Sequence, residues 1–400
     1  MTRLDITTNF MASRYEHLSN IFEGYKLTGV PFIEYDGTQL LPCRTLDDMG
    51  IYNVIPTLAY HLGISIDQAI VLFFTTLSWL AVIISITGFW FLYKNYLERC
   101  IASCTVTLLT LMVCSYTLDV YRAYVAIAIA VVPWCLYFIQ KKYTSTFFYV
   151  FCFLAGLGIG FSHYIRSHSG TAVFLFITIL ILTHKRLNKK KKCTLMMSLC
   201  LGILIPVIYF KHIYSNYVHY SKQHFPEYLI DEGQHVFWHP VYLGFGFLNN
   251  DFGIRFDDSV AVKKARSIKP DIAYPSPESE EILKQEVVTL FKHRIFFFLL
   301  TIWAKIGVLL FFLLLFANIG LPLAFIYPKG LAIDAAFFLA LSFSGLFIIL
   351  VVPAFGYCLG FITFSTLYGI VSINYALEHC GLTKISSSFK RRSKHGTTRV

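Results

Sequence analysis

Residues 69–93 read AIVLFFTTLSWLAVIISITGFWFLY and contain no charged side chain. A run of about 20 apolar residues is long enough to cross the hydrocarbon core of a bilayer as a helix. The chain as a whole has 400 residues, of which 56% are hydrophobic and 14% charged. That much apolar surface does not fit into the core of a soluble protein. The sequence therefore predicts an all-α, multi-pass integral membrane protein.

Further apolar runs follow the first, and together they predict a transmembrane helix bundle of about nine spans, some of them short. The runs lie at approximately 69–93, 101–118, 123–140, 146–163, 171–184, 194–210, 295–317, 331–352 and 354–377. The predicted organisation is an acidic outer segment at 1–66, helices 1–6 at 67–210, a large outer loop at 211–293, helices 7–9 at 294–379 and a basic cytoplasmic tail at 380–400.

The basic residues predict how these helices are oriented. If Lys94–Arg99 is cytoplasmic, the clusters at Lys141–Lys142, Lys185–Lys192, Lys329 and Lys390–Lys394 all fall on the same side. Cytoplasmic loops are enriched in lysine and arginine, so the alternation of the spans agrees with the charges. The net charge of +11 is thereby explained by topology, and we expect no nucleic-acid partner.

The N-terminal segment carries apolar side chains at helical spacing, namely Met11, Tyr15, Leu18, Phe22 and Tyr25. This pattern predicts a helix, lying either in the membrane interface or on the protein surface as an ordinary amphipathic helix. An outer position for this segment requires a span upstream of Met1 or a first span that inserts as a reverse anchor.

Two adjacent carboxylates, Asp47 and Asp48, stand in the stretch RTLDDMGIYNVIP at 44–56. A carboxylate at the water–membrane boundary can take a proton from a sugar hydroxyl that attacks an anomeric carbon. Asp48 could equally cap the helix that GIYNVIPTLAYHLG predicts. Asp119 lies in a second outer turn, where it either orients an acceptor, holds a cation or pairs with Arg122 at a helix end.

A third outer turn, HYIRSHSG at 163–170, supplies His163, Arg166 and His168. An arginine at the membrane surface offers a planar fork to a lipid phosphate, although a structural, snorkelling arginine fits the same pattern. Lys305 lies inside an apolar run near its outer end, and we expect it to contact lipid phosphate or to snorkel.

The large outer loop offers His239, Asp251, Asp257 and Asp258 as candidate contacts for an acceptor or a metal ion. No cofactor is required by the sequence, and a divalent metal ion stays an open alternative. The 10 cysteines show no paired spacing, and of these only Cys43 clearly lies in an outer segment. The sequence therefore predicts neither a disulfide framework nor a zinc site.

Taken together, these motifs resemble the membrane-embedded glycosyltransferases of the GT-C superfamily. The resemblance covers roughly 40–310 and rests on TLDDMGIY at 45–52, LDVYRAY at 118–124, YIRSHSG at 164–170 and the large outer loop. It implies transfer of a sugar from a polyprenyl-phosphate donor to a glycan, lipid or protein acceptor, at a membrane that we expect to be the bacterial inner (plasma) membrane. It also implies that Asp47 or Asp48 is the base, Asp119 a second acidic group and Arg166 a donor-phosphate ligand.

Other functions stay open at this point. A polysaccharide polymerase or O-antigen ligase also combines many spans with one large outer loop. A transporter or lipid flippase would have broken helices in related halves, and Pro206, Pro322 and Pro353 do not form such a pair. The cytoplasmic loops are too short for a soluble nucleotide-sugar site, and the sequence has no glycine-rich phosphate loop.

Overall fold

The computed structural model of the protein describes residues 12–43, 48–143, 145–228 and 237–380. In these ranges the chain forms 15 α-helices, one 3-10 turn at Phe245–Phe247 and one antiparallel hairpin, which confirms the predicted all-α class. The helices are α1 Ala12–Thr28, α2 Met49–Leu62, α3 Ile66–Leu92, α4 Tyr96–Tyr116, α5 Arg122–Lys141, α6 Phe147–Ile165, α7 Thr171–Thr183, α8 Lys189–His224, α9 Trp238–Gly244, α10 Asp258–Ile268, α11 Pro277–His293, α12 Ile295–Ala317, α13 Gly320–Ile326, α14 Leu331–Leu350 and α15 Phe355–His379; the strands are β1 Ile33–Tyr35 and β2 Leu40–Pro42.

Eight of the described helices are long and apolar enough to cross a membrane, namely α3, α4, α5, α6, α8, α12, α14 and α15. The remaining predicted run forms α7, which has 13 residues. At about 1.5 Å per residue, a helix of this length covers roughly 20 Å, which is less than the ~30 Å hydrocarbon core. The bundle therefore combines eight full-length spans with one short buried helix, and every predicted run lies on a helix.

Helices α6 and α8 pack closely at two glycines, where no side chain separates the two backbones. A Cβ atom added to Gly156 on α6 would lie 2.1 Å from the carbonyl oxygen of Leu199 on α8. A Cβ on Gly202 of α8 would lie 2.1 Å from the carbonyl oxygen of Phe153. Without a hydrophobic driving force between spans, such backbone approach supplies van der Waals contact that larger residues prevent.

The N-terminal residues form a layer at one end of the bundle. On α1, Leu18 and Ile21 are fully buried and Phe22 is 8% exposed, so the helix packs its apolar face against α2 and the β-hairpin. The predicted helix is confirmed, and it contains Tyr15, Leu18, Phe22 and Tyr25. Met11 lies outside the described residues. This packing fixes the direction in which α1 presents its polar side chains.

Helix α8 supports this layer because its 36 residues extend beyond the apolar run at 194–210 as far as His224. Tyr217, one of three tyrosines spaced by three, is fully buried. Its hydroxyl donates to the carbonyl of Cys43 at 2.9 Å, and its ring meets Phe32 edge-on at 5.7 Å. The first part of the predicted outer loop is thus a rigid helix that carries the N-terminal layer.

The loops that the charges place outside meet at the same end of the bundle as this layer. Arg14, Asp48, Asp119 and Arg166 contact one another there. At the opposite end, Asn374 of α15 donates to the carbonyl of Glu98 at 3.4 Å. The assignment of these ends to the two sides of the membrane stays a prediction.

Candidate functional site

Arg14 of α1 joins two carboxylates that are far apart in the sequence. Its Nε donates to Asp48 Oδ2 at 2.7 Å, and its Nη1 lies 3.2 Å from Asp119 Oδ2. Asp48 is 2% exposed and Asp119 is 3% exposed, so both carboxylates are almost fully removed from water. A guanidinium with several donors in a fixed plane can serve both groups at once.

Asp48 also binds a second arginine. Its Oδ1 accepts from Arg166 Nη1 at 3.2 Å. Asp48 occupies the N-cap position of α2, but its side chain makes no capping hydrogen bond. The capping alternative is therefore not realised, because both carboxylate oxygens are engaged by guanidinium groups. Asp47 and the rest of 44–47 lie outside the described residues.

The four side chains Arg14, Asp48, Asp119 and Arg166 form what we call the charged cluster. Its formal charges balance, which is the condition under which buried ions are tolerated. Burial raises the pKa of the Asp119 carboxyl above its usual value, and the charge of Arg14 offsets part of this shift. Arg122 is not the partner of Asp119, since its guanidinium donates to the carbonyls of Thr117 and Cys114.

Tyrosines of two helices surround Arg166. Its guanidinium carbon lies 5.2 Å from the centre of the Tyr121 ring, which itself packs edge-on against Tyr357 at 5.2 Å. The Tyr124 hydroxyl donates to the carbonyl of Ser167 at 3.0 Å and fixes the turn that carries Arg166. An aromatic face beside a guanidinium is electrostatically favourable and keeps the side chain extended.

Arg166 also forms part of the wall of a cavity of about 500 Å³, here called the Arg166 cavity. The polar residues that line the cavity include Tyr124, Arg166, His168 and Tyr357. Its apolar lining comes mainly from α14, with Phe343, Leu346, Phe347 and Leu350. Small-molecule sites commonly have volumes of about 300–1,000 Å³, apolar walls and a few convergent polar groups. The cavity can thus accept a ligand with an anionic head and an apolar chain.

The two histidines of the third turn differ in position. His168 lines the Arg166 cavity, and its ring packs against Phe347 at 5.1 Å. Its backbone has φ +64°, and its N–H donates to His163 Nδ1 at 3.1 Å. His163 therefore supports the tight turn, and His168 is the histidine that a ligand in the cavity would meet.

Lys305 does not take the position expected for a phosphate ligand. It is 1% exposed, and its ammonium donates to the carbonyls of Ile349 at 2.9 Å and Val351 at 2.7 Å. The last carbonyls of a helix have no partner within the helix, and leaving them unpaired inside a membrane costs several kcal/mol. Lys305 supplies those partners at the end of α14, which differs from the predicted contact with lipid phosphate.

The loop candidates His239, Asp257 and Asp258 form a separate group and are not among the residues that line the Arg166 cavity. His239 Nε2 lies 3.0 Å from Asp258 Oδ1, while Asp257 caps α10 by accepting from the N–H of Ser259 at 2.9 Å. Asp257 is therefore a helix cap, and the expected acceptor or metal contact of His239, Asp251 and Asp258 stays a prediction. Helix α11 begins with a cap, in which Ser276 accepts from the N–H of Ser279.

Glu280 of α11 holds the loop against the cavity. Its carboxylate accepts from the backbone N–H groups of Phe237, Trp238 and His239 at 2.6–3.0 Å. These donors at the start of α9 have no partner within the helix. Phe237, Pro240 and Val241 of the same segment line the Arg166 cavity. Glu280, which follows 41–43 residues later in the chain, thus fixes this part of the cavity wall.

Sequence reasoning missed Arg14, Glu280 and the tyrosines at 121, 124 and 357. Arg14 is one of several polar residues on an amphipathic helix, and its partners are 34 and 105 residues away. Local spacing carries no signal for such contacts. Tyr121 and Tyr124 belong to the motif LDVYRAY, which therefore contains a sequence signal for these two tyrosines.

Comparison of the chain with protein-family models, curated proteins and solved structures finds no match.

Proposed function

We propose that the protein is a glycosyltransferase that takes a sugar from a polyprenyl-phosphate donor and transfers it to an acceptor at the outer face of the membrane. The observation that supports this function best is that Arg166 takes part both in the charged cluster and in the lining of the Arg166 cavity. Its guanidinium contacts a buried carboxylate, Asp48, and the residue lines a cavity that also has apolar side chains in its wall. A donor with a phosphate next to an isoprenoid chain matches this mixed lining.

In the proposed reaction the acceptor hydroxyl oxygen attacks the anomeric carbon of the sugar. The bond between that carbon and the phosphate oxygen breaks, and the polyprenyl phosphate leaves with the electron pair. Arg166 neutralises the charge that develops on the leaving phosphate. The hydroxyl proton passes to a carboxylate of the acidic stretch, for which Asp48 is the described candidate.

In this proposal, donor binding frees the Asp48 carboxylate from its contact with Arg166. Arg166 lies 3.2 Å from Asp48 Oδ1, a longer contact than the 2.7 Å between Arg14 and Asp48 Oδ2. A donor phosphate competes with Asp48 for Arg166, because phosphate also takes guanidinium in charge-assisted hydrogen bonds. As Arg166 turns to the phosphate, Oδ1 becomes able to accept a proton. Asp119 holds Arg14 in place through their ion pair and orients the acceptor molecule.

Replacing Arg166 by alanine tests the donor site. A hydrogen bond to a charged group contributes about 1.5–3 kcal/mol, so the donor dissociation constant should rise roughly 10- to 150-fold. Turnover should fall as well, since the same contact acts on the leaving group. Arg166→Lys should give intermediate values, because lysine keeps the charge and loses the planar fork. Binding is measured with a polyprenyl-phosphate sugar in nanodiscs.

Two variants control this experiment. Arg266→Ala removes an exposed arginine of α10 and should leave donor binding unchanged. The double variant Asp48→Asn/Arg166→Gln removes one charge of each sign, so it should fold more stably than Arg166→Ala while donor binding stays weak. Wild-type donor affinity in both Arg166→Ala and the double variant would contradict the proposed donor site.

A further inference from the structure

Three side chains with metal-ligating atoms meet in the N-terminal layer, away from the charged cluster. They are His17 on α1, Glu34 on β1 and Cys43 directly after β2. His17 Nδ1 lies 2.9 Å from Glu34 Oε1, and the ligand atoms of all three residues lie within 4.8 Å of one another. Nitrogen, sulfur and carboxylate oxygen are together the donor set that zinc prefers.

The backbone holds these ligands in place before any ion arrives. The N–H of Cys43 donates to the carbonyl of Phe32 at 2.9 Å, and the carbonyl of Cys43 accepts from the Tyr217 hydroxyl at 2.9 Å. Glu34 is paired with Leu41 in the hairpin register. These contacts fix the positions from which the Glu34 and Cys43 side chains extend, so little ordering is needed on metal binding.

The spacing also suits a tetrahedral ion. Zinc binds nitrogen and oxygen at about 2.0–2.2 Å and sulfur at about 2.3 Å, which places neighbouring ligand atoms roughly 3.4 Å apart. The contact between His17 and Glu34 has to open from 2.9 Å, and the Cys43 sulfur, which lies within 4.8 Å of both other ligand atoms, has to move toward them where its distance exceeds this spacing. The side chain of His17 is 33% exposed, and Cys43 is 4% exposed. Solvent can therefore supply a fourth ligand from the His17 side.

We propose that His17, Glu34 and Cys43 bind one zinc ion, with water as the fourth ligand. Binding displaces the thiol proton of Cys43 and the hydrogen bond between His17 and Glu34. The ion ties α1 to the hairpin. His17 follows Arg14 by three residues, about one helical turn, so the ion also holds the helix that presents Arg14 to Asp48 and Asp119.

Metal analysis of the full chain tests this proposal without any assay of sugar transfer. The protein is purified through a tag that contains no histidine, in a background where the exposed cysteines Cys104, Cys193, Cys200 and Cys380 are serine. We expect one equivalent of zinc after dialysis in this background. Cys43→Ser and His17→Ala should each lose it, and Glu34→Gln should bind it more weakly.

Cobalt gives a second readout that identifies the ligands. Co²⁺ replacing Zn²⁺ should show a thiolate charge-transfer band in the wild-type site, with saturation at one equivalent, and folded Cys43→Ser should lack this band. If Cys43→Ser does not fold, the titration of the background protein decides. Absence of a saturable thiolate band there, or equal zinc content in Cys43→Ser, would overturn the zinc site and leave a plain His17–Glu34 hydrogen bond.

Discussion

Asp48→Asn is expected to lower the rate of sugar transfer about 100- to 10,000-fold, the range typical for loss of a general base. Asparagine keeps the size of the side chain and one hydrogen-bond acceptor, but it cannot take up the acceptor's proton. Donor affinity should be retained, because Arg166 is then free to bind the phosphate. Transfer is measured with a polyprenyl-phosphate donor in nanodiscs. The rate is expressed per folded molecule, and the folded fraction of each variant is determined separately by thermal unfolding.

Two related substitutions control this prediction. Asp271→Asn makes the same change at an exposed site in the large loop and should leave transfer unchanged. Asp119→Asn should lie between Asp271→Asn and Asp48→Asn if Asp119 only orients the acceptor. Full transfer in Asp48→Asn would remove Asp48 as the base. Full transfer in Asp47→Asn as well would favour a transporter or a structural membrane protein.

Arg14→Ala is expected to destabilise the fold by about 3–5 kcal/mol, because removing one partner leaves buried charge without compensation. Asp119 would lose its described arginine contact, and of the arginine contacts described for Asp48 the one with Arg166 would remain. The free energy of unfolding is measured by chemical denaturation in detergent. Adding Asp119→Asn to Arg14→Ala should recover part of the loss, since the second change removes the carboxylate that has lost its partner.

The matched control lies on the same helix. Lys26 pairs with Glu23 at 2.8 Å, with side chains 41% and 48% exposed. Exposed ion pairs contribute about 0–1 kcal/mol, so Lys26→Ala should change the stability by no more than that. Equal effects of Arg14→Ala and Lys26→Ala would show that the charged cluster is not a buried network.

The fold could be predicted from the sequence because membrane spans are decided by local composition. Every apolar run became a helix, and only the length of α7 falls short of a full span. The serine–proline pair at 276–277 is likewise a local signal for a helix start, and Ser276 caps α11. Asp48 shows the limit of this reasoning, since its position before a helix predicts a cap while its side chain binds arginines that are 34 and 118 residues away.

Burial explains the other differences between expectation and structure. Lys305 was expected at lipid phosphate, but the unpaired carbonyls at the end of α14 engage its ammonium inside the protein. The proposed zinc ligands at 17, 34 and 43 have no motif spacing, because a helix and a hairpin bring them together. Such contacts depend on tertiary packing, which composition and periodicity do not specify.

We propose that the Arg166 cavity binds a lipid phosphate, and photo-crosslinking can detect this binding at individual residues. The probe is a polyprenyl phosphate with a diazirine in the isoprene unit next to the phosphate, and labelled residues are identified by mass spectrometry. A second cavity of about 500 Å³, lined by Leu108, Met112 and Leu315, provides an internal comparison. We predict labelling of Phe343, Leu346 or Phe347, reduced in Arg166→Ala; labelling confined to the second cavity, or unchanged in Arg166→Ala, would contradict the claim.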